Sequence, residues 1–241
     1  MTSRARWAAA LKATAAVLLV FDVAVWLAGA SPWRVLGGVI EGTVGSGYAI
    51  GQTLAKATPI LWTGAAVALA LRARLFNIGA DGQCLLGVLG AAIVGAWLPA
   101  STPWPVAVPV TLAAAAVAGA LPAAFAGWLK ARFGTHEVIS TLMLNGLVAV
   151  FTTWLYAGPL RVGAQVHTRP VVAGARLPLA GEHLAALRGS GLSASIVLAI
   201  AAALAMGWYL QRTRGGVALR AVGSSPGAAE ALGVDTGATT V

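Results

Sequence analysis

The sequence predicts an all-α, polytopic transmembrane helical bundle with about six spans. Of its 241 residues 59% are hydrophobic and only 10% charged, and the mean hydropathy is +0.83. A soluble domain carries roughly 25% charged residues, so this chain lacks the polar surface that water requires. A hydrocarbon core about 30 Å thick takes roughly 20 apolar helical residues to cross. Six segments fit that length: 7–29, 48–71, 78–98, 105–129, 138–157 and 192–210.

The first segment, 7–29, follows a basic start and has the outline of a signal peptide, but it is long for an h-region and contains Asp22. A first membrane helix fits better. A proton relay through Asp22 needs a chain of partners that the sequence does not identify, so an interhelical hydrogen bond is the simpler expectation. The second and third segments are short: their purely apolar parts, 57–71 and 84–98, hold 15 residues each. That length reaches about 22 Å. To cross, these helices must extend through Gln52 and Lys56 on one side and Asn77, Asp81 and Gln83 on the other. Polar groups at that depth are turned inward, paired, or set along a solute path. Gly79 and Gly82 between them fit a helix broken beside a cavity. A hydrated turn, with Asn77 capping the next helix, is the alternative.

The fourth segment, 105–129, ends at Lys130 and Arg132, and the fifth opens on a second polar cluster, GTHEVISTLMLNG, residues 134–146. Thr135 is the expected N-cap, which puts Glu137 in the first turn, where the helix dipole favours an acid. His136 reads as a hydrated end residue. Ser140, Thr141 and Asn145 lie deeper; Thr141 and Asn145 are four apart and share a face. Helix–helix hydrogen bonding and solute contact both fit that pair. Residues 158–191 form the longest polar stretch and the expected external loop. The sixth segment, 192–210, is followed by Arg212, Arg214 and Arg220.

The net charge of +9 does not point to nucleic acid, because the basic residues sit at the ends of apolar runs rather than on one polar face. With the N-terminus inside, ten fall on the cytoplasmic side and six outside, the bias that orients membrane proteins. The single cysteine, Cys84, excludes an internal disulfide and makes no metal site alone. GSSPG, residues 223–227, matches G-x-S-x-G, but an Arg-rich helix end precedes it and no His follows, which excludes a nucleophile elbow. No GxxxxGK[ST] phosphate loop is present, so the chain is expected to bind no nucleotide or other cofactor. The spacings Gly38–Gly42 and Gly47–Gly51 match GxxxG and predict close packing.

Four motifs carry a resemblance: FNIGADGQ (76–83), GTHEVISTLMLN (134–145), GPLR (158–161) and GVALRAVGSSPGAAEALGV (216–234). In that order and spacing they resemble the inner-membrane permease subunit of bacterial ABC importers for nucleosides and simple sugars. This is the branch fed by basic-membrane-protein-type lipoproteins and related to ribose and branched-chain amino-acid permeases. The resemblance covers about residues 48 to 241. It implies a permease, not an enzyme, in the bacterial cytoplasmic membrane. Its partners would be a second, paralogous permease, an extracytoplasmic substrate-binding lipoprotein and a cytoplasmic ATPase that uses the ATP. A secondary transporter or channel for a small polar solute is the competing expectation.

The resemblance also places FNIGADGQ near the inner mouth of the bundle, which favours Asn77, Asp81, Gln83, Thr141 and Asn145 as the substrate pathway. It divides the chain into a bundle, 1–211, and a cytoplasmic segment, 212–241. Within the latter, Arg220, Pro226, Ala228, Ala229, Glu230 and Gly233 belong to a short helix that couples to the ATPase. Pro226 suits its first turn, after Ser224 or Ser225 as cap. Asp81 stands where the family more often has Glu, and Cys84 where Leu is usual. Family members continue through further helices where this chain ends, so an incomplete, C-terminally truncated permease is expected, its next helix just begun.

Overall fold

The computed structural model describes residues 3–164 and 167–237. Residues 165–166 of the expected external loop and 238–241, where a further helix is expected to begin, lie outside the described residues. So do the side chains of Arg4 and Arg6. The described chain folds into helices and turns: α1 (Ser3–Leu27), α2 (Pro32–Val44), α3 (Gly47–Arg72), α4 (Ala80–Trp97), α5 (Trp104–Phe133), α6 (Glu137–Ala157), α7 (Ala180–His183), α8 (Ser195–Arg212), α9 (Arg214–Ser224) and α10 (Pro226–Ala231). Six of them, α1, α3, α4, α5, α6 and α8, are long and apolar enough to cross a membrane. They follow the six apolar segments in order.

The differences lie at helix ends and have local causes. Between the first two spans lies α2, too short at 13 residues to register as a span, with Pro32 at its start and Trp33, Val39 and Ile40 exposed. The third span begins at Ala80 rather than 78, because the backbone groups of Ile78 are taken by side chains of α6. The fifth begins at Glu137 with His136 at the N-cap, so Thr135 is not the cap. The Thr135 hydroxyl is buried without a hydrogen-bond partner among the described residues. The sixth begins at Ser195 rather than 192, since Ala194 N–H instead bonds Pro178 C=O at 3.1 Å. Asp22 makes no interhelical hydrogen bond with a described residue. It is exposed on α1, whose Val17, Leu19 and Val20 are also mostly exposed.

The chain divides into two compact units. One comprises residues 1–55 and 179–192, the other 56–178 and 193–241. In the first unit, Ser46 Oγ accepts from Ala49 N–H at 3.0 Å and caps α3. Gln52 Oε1 accepts from Gly191 N–H at 3.0 Å, and this satisfies one polar residue of the short second span. Gly47 and Gly51 meet the Ala186 backbone and Ser190 so closely that a Cβ would overlap them, as their GxxxG spacing predicts. A Cβ on Gly38 or Gly42 would meet no other element within 4 Å among the described residues, so that second GxxxG marks no contact here.

In the second unit α4 and α5 pack along a seam of small residues. A Cβ on Gly90 would lie 2.7 Å from Ala118 Cβ, and one on Gly119 would lie 3.0 Å from Gln83 C=O. Small residues let backbones approach where lipid provides no hydrophobic drive. The buried residues are accordingly small: Ala107, Ala126, Val148, Ala199, Val222 and Ala229 among them. Large apolar side chains such as Val117, Leu147, Val150 and Leu204 face outward. Buried threonines return their hydroxyls to their own helices, Thr111 to Ala107 C=O at 2.7 Å and Thr152 to Val148 C=O at 2.8 Å.

Two of the spans in the second unit, α5 and α3, end in left-handed backbone. Gly134 closes α5 with φ +63°, a conformation glycine adopts freely. Arg74 closes α3 with φ +57°, and Leu75 N–H then reaches Ala70 C=O at 2.9 Å. For a side-chain-bearing residue that conformation costs roughly 1 kcal/mol.

Candidate functional site

The stretch Phe76–Gln83 connects α3 to α4, and its first half is irregular backbone whose N–H and C=O groups need partners. Helix α6 provides them along one face. Glu137, Thr141 and Asn145 are spaced by four, which puts them one above another on a helix surface. Glu137 Oε1 accepts from Phe76 N–H at 3.4 Å, Thr141 Oγ1 from Ile78 N–H at 3.3 Å, and Asn145 Oδ1 from Gly82 N–H at 2.9 Å. Asn145 Nδ2 also donates to Ile78 C=O at 2.7 Å.

This explains how α4 starts without an ordinary cap. Its N-cap position is Gly79, which has no side chain, and the first N–H groups of a helix have no partner within it. Asn145 satisfies one of them from a different helix. Asn77 satisfies another locally, its Oδ1 accepting from Gly79 N–H at 2.7 Å. The fit leaves no room for side chains on the glycines. A Cβ on Gly79 would lie 2.9 Å from Asn77 Oδ1, and one on Gly82 would lie 2.7 Å from Asn145 Oδ1 and 3.2 Å from its Cα.

The same stretch lines a cavity of about 290 Å³ bounded by α3, α4, α5, α6 and α9. Its polar wall is Asn77, Gln83, Lys130, Glu137 and Thr141; the rest is apolar and mostly small, including Ala66, Ala70, Ala126 and Leu219. Asn77 and Gln83 face each other as an amide pair, with Asn77 Nδ2 3.4 Å from Gln83 Oε1 and Gln83 Nε2 3.3 Å from Asn77 Oδ1. Lys130 Nζ and Glu137 Oε2 form an ion pair at 3.1 Å across the α5–α6 turn. The charged members of the wall are thus matched, and the Thr141 hydroxyl donates to Glu137 C=O at 2.7 Å, while each amide keeps a second N–H that a neutral polar solute could use.

The five pathway residues expected from sequence separate into three groups. Asn77, Gln83 and Thr141 come together at the cavity. Asn145 lies outside its lining and is committed to α4 backbone. Asp81 is exposed in the first turn of α4, and its carboxylate has no hydrogen-bond or ion-pair partner among the described residues. Lys130, Glu137 and Leu219 escaped sequence reasoning. For Glu137 the signal was present in the four-residue spacing to Thr141 and on to Asn145. Lys130 and Leu219 reach the cavity through the α5–α6 turn and the return of α9, which no local pattern reveals.

The residues expected to couple to an ATPase lie on two helices rather than one. Arg220 is exposed on α9, with Nε 3.4 Å from Gly216 C=O. At Ser225 the chain turns: its Oγ accepts from Ala228 N–H at 3.4 Å, and Pro226 starts α10, the cap and first turn expected from sequence. Ala229 is 1% exposed, whereas Ala228 and Glu230 are exposed; Glu230 accepts from Thr236 Oγ1 at 2.6 Å. Gly233, φ +80°, ends the segment, and Val234 N–H reaches back to Ala229 C=O at 3.0 Å. Gly223, in the last turn of α9, lies so close to the end of α3 that a Cβ would overlap the Arg72 carbonyl.

Comparison with known proteins agrees with this architecture. Residues 49–241 match the family model described as branched-chain amino acid transport system / permease component. The chain is similar to the glucose ABC transporter permease protein TsgB13 of Haloferax volcanii, 32% identical over 231 residues, 91% of this chain and 59% of that protein. It is similar also to the guanosine ABC transporter permease protein NupP of Bacillus subtilis, 33% identical over 80% of this chain and 55% of that protein. The nucleoside ABC transporter permease protein NupB of Lactococcus lactis is 28% identical over 82% of this chain and 55% of its own length. The chain thus spans less than two thirds of the length of these relatives. No solved structure matches. With six helices able to cross a membrane and residues 49–241 matched, the chain is a multi-pass membrane protein that belongs to the branched-chain amino acid transport system / permease component family.

Proposed function

We propose that this chain is a permease subunit of an ATP-driven ABC importer that moves nucleosides or simple sugars across the membrane. The observation that carries the reading is the cavity at the FNIGADGQ stretch, whose wall combines an amide pair, a hydroxyl and a matched ion pair. Such a wall suits a neutral, hydroxyl-rich solute, and the names of the relatives, glucose and guanosine permeases, fall in that chemical class. Asn77, Gln83 and Thr141 contact the solute in this reading; Asn145 holds the wall in place.

The remaining parts follow from the family. The N-terminus lies in the cytoplasm, so the α3–α4 turn, the α5–α6 turn and α9–α10 share the cytoplasmic side, where Arg72, Arg74, Lys130, Arg132 and Arg220 collect. A cytoplasmic ATPase docks on α9 and α10 through the exposed Arg220, Pro226, Ala228, Glu230 and Gly233, while Ala229, buried beneath them, holds α10 in place. A second, paralogous permease completes the translocation path, and an extracytoplasmic binding lipoprotein delivers the solute. The test is uptake of labelled guanosine and glucose by vesicles carrying the assembled transporter. Uptake should require ATP and the ATPase. Uptake driven by an ion gradient with the ATPase absent would instead identify a secondary transporter or channel.

A further inference from the structure

Arg74 stands out among the turns of the second unit. Five glycines among the described residues adopt positive φ, Gly29, Gly134, Gly163, Gly189 and Gly233, and Arg74 is the single side-chain-bearing residue that does. The comparison with Gly134 is direct, because both residues end a long helix ahead of the next span, and glycine serves there without strain. Strained backbone that persists at one position is a sign of use. The side chain of Arg74 gains nothing within the chain: it is exposed, and its guanidinium has no hydrogen-bond or ion-pair partner among the described residues. By contrast Lys130, in the last turn of α5, is paired with Glu137.

Its position says what the charge can serve. A Cβ on Gly223 would overlap the Arg72 carbonyl and lie 3.4 Å from Ala73 Cα, and Ala73, Val222 and Gly223 are all buried. The α3 end and the α9–α10 junction therefore form one continuous surface, with Arg74 one residue from the crossing. The α3 end, α9 and α10 carry Arg72, Arg74, Arg214 and Arg220 against a single acid, Glu230, so the surface stays net positive. That balance complements an acidic protein face. We propose that Arg74 is a docking residue, retained in left-handed backbone because its guanidinium receives a carboxylate of the ATPase that seats on α9 and α10. The inference rests on the coupling role proposed above for those helices.

The test compares the assembled transporter with Arg74→Gly, Arg74→Asn and Arg74→Lys, and with Ala228→Arg, at an exposed position of α10, as a separate probe of the docking segment. Two quantities are read, the unfolding temperature of the permease and the affinity of the purified ATPase for it. Arg74→Gly and Arg74→Asn should raise the unfolding temperature, since both residues accept positive φ. They should also weaken ATPase binding about fivefold at low salt, the scale of one exposed charge pair. The loss should shrink at roughly 0.5 M salt, and Arg74→Lys should retain most of the affinity. Unchanged ATPase affinity in Arg74→Gly and Arg74→Asn overturns the proposal, and so does a lowered unfolding temperature in both. If Ala228→Arg abolishes association while the Arg74 variants do not alter it, the docking reading stands and the role of Arg74 falls. If none of the variants changes association, both fall together. A loss seen only in phosphatidylglycerol vesicles, and absent in zwitterionic ones, assigns the charge to lipid phosphate and likewise overturns the proposal.

Discussion

Replacing Asn145 with leucine isolates the contact that lets α4 begin where it does. Leucine keeps the branching of asparagine at Cγ and is larger, so no cavity opens, and what is removed is one acceptor and one donor. Asn145 Oδ1 receives the Gly82 N–H at 2.9 Å and Nδ2 donates to Ile78 C=O at 2.7 Å. Hydrogen bonds of this kind contribute about 1 kcal/mol each in soluble proteins, and side-chain bonds between membrane helices average about 0.6 kcal/mol. Gly82 is buried, so its N–H cannot turn to water, which adds roughly 1–2 kcal/mol. The expected destabilisation is therefore about 2–4 kcal/mol. Reversible unfolding in mixed micelles, followed by circular dichroism, measures it. Thr153→Val is the control: Thr153 is an exposed residue of α6 bonded to its own helix, and its loss should stay within about 0.5 kcal/mol. An Asn145→Leu protein as stable as the Thr153→Val protein would refute the idea that α4 is capped from α6.

Gly82→Ala attacks the same contact from the other side; its Cβ meets Asn145 Oδ1 and Cα, and a loss of about 1–3 kcal/mol in the same unfolding assay is expected. Gly223→Ala should leave membrane insertion intact but displace α9 from the α3 end, because the contact it violates is the Arg72 backbone carbonyl; faster protease cleavage between residues 213 and 226 would report it. A double-mutant cycle on Lys130→Met and Glu137→Gln should give a coupling below about 1 kcal/mol, because the side chains are 31% and 18% exposed. A coupling of several kcal/mol would mean that the pair is sealed from water.

The bundle was legible because membrane spans announce themselves by length and composition, and all six apolar segments became helices in their expected order. The helix ends were less legible, since they depend on partners distant in sequence. Ile78 reads as the first residue of an apolar run, yet its backbone is claimed by Thr141 and Asn145, 63 and 67 residues away. Thr135 has the chemistry of an N-cap and is not one, because α6 begins one residue later with its Glu137 turned to Phe76 and Lys130. Asp22 invited a partner by its charge, but α1 exposes the residues around it. At the site, FNIGADGQ was identified by its polarity, and Thr141 with Asn145 by their shared face. That Asn145 binds backbone while Thr141 also reaches the cavity is a matter of depth along α6, which spacing does not resolve.

The claim at the centre of the account is that the space beside FNIGADGQ holds a neutral solute. Ala70→Cys in a Cys84→Ser background places the single thiol on the cavity lining. The measurement is the rate of its modification by a small polar thiol reagent in the assembled transporter, with guanosine, glucose or neither present. A transported solute should slow the modification, and Gln83→Leu should remove that protection. A rate unaffected by any solute that the vesicles demonstrably take up would contradict the account.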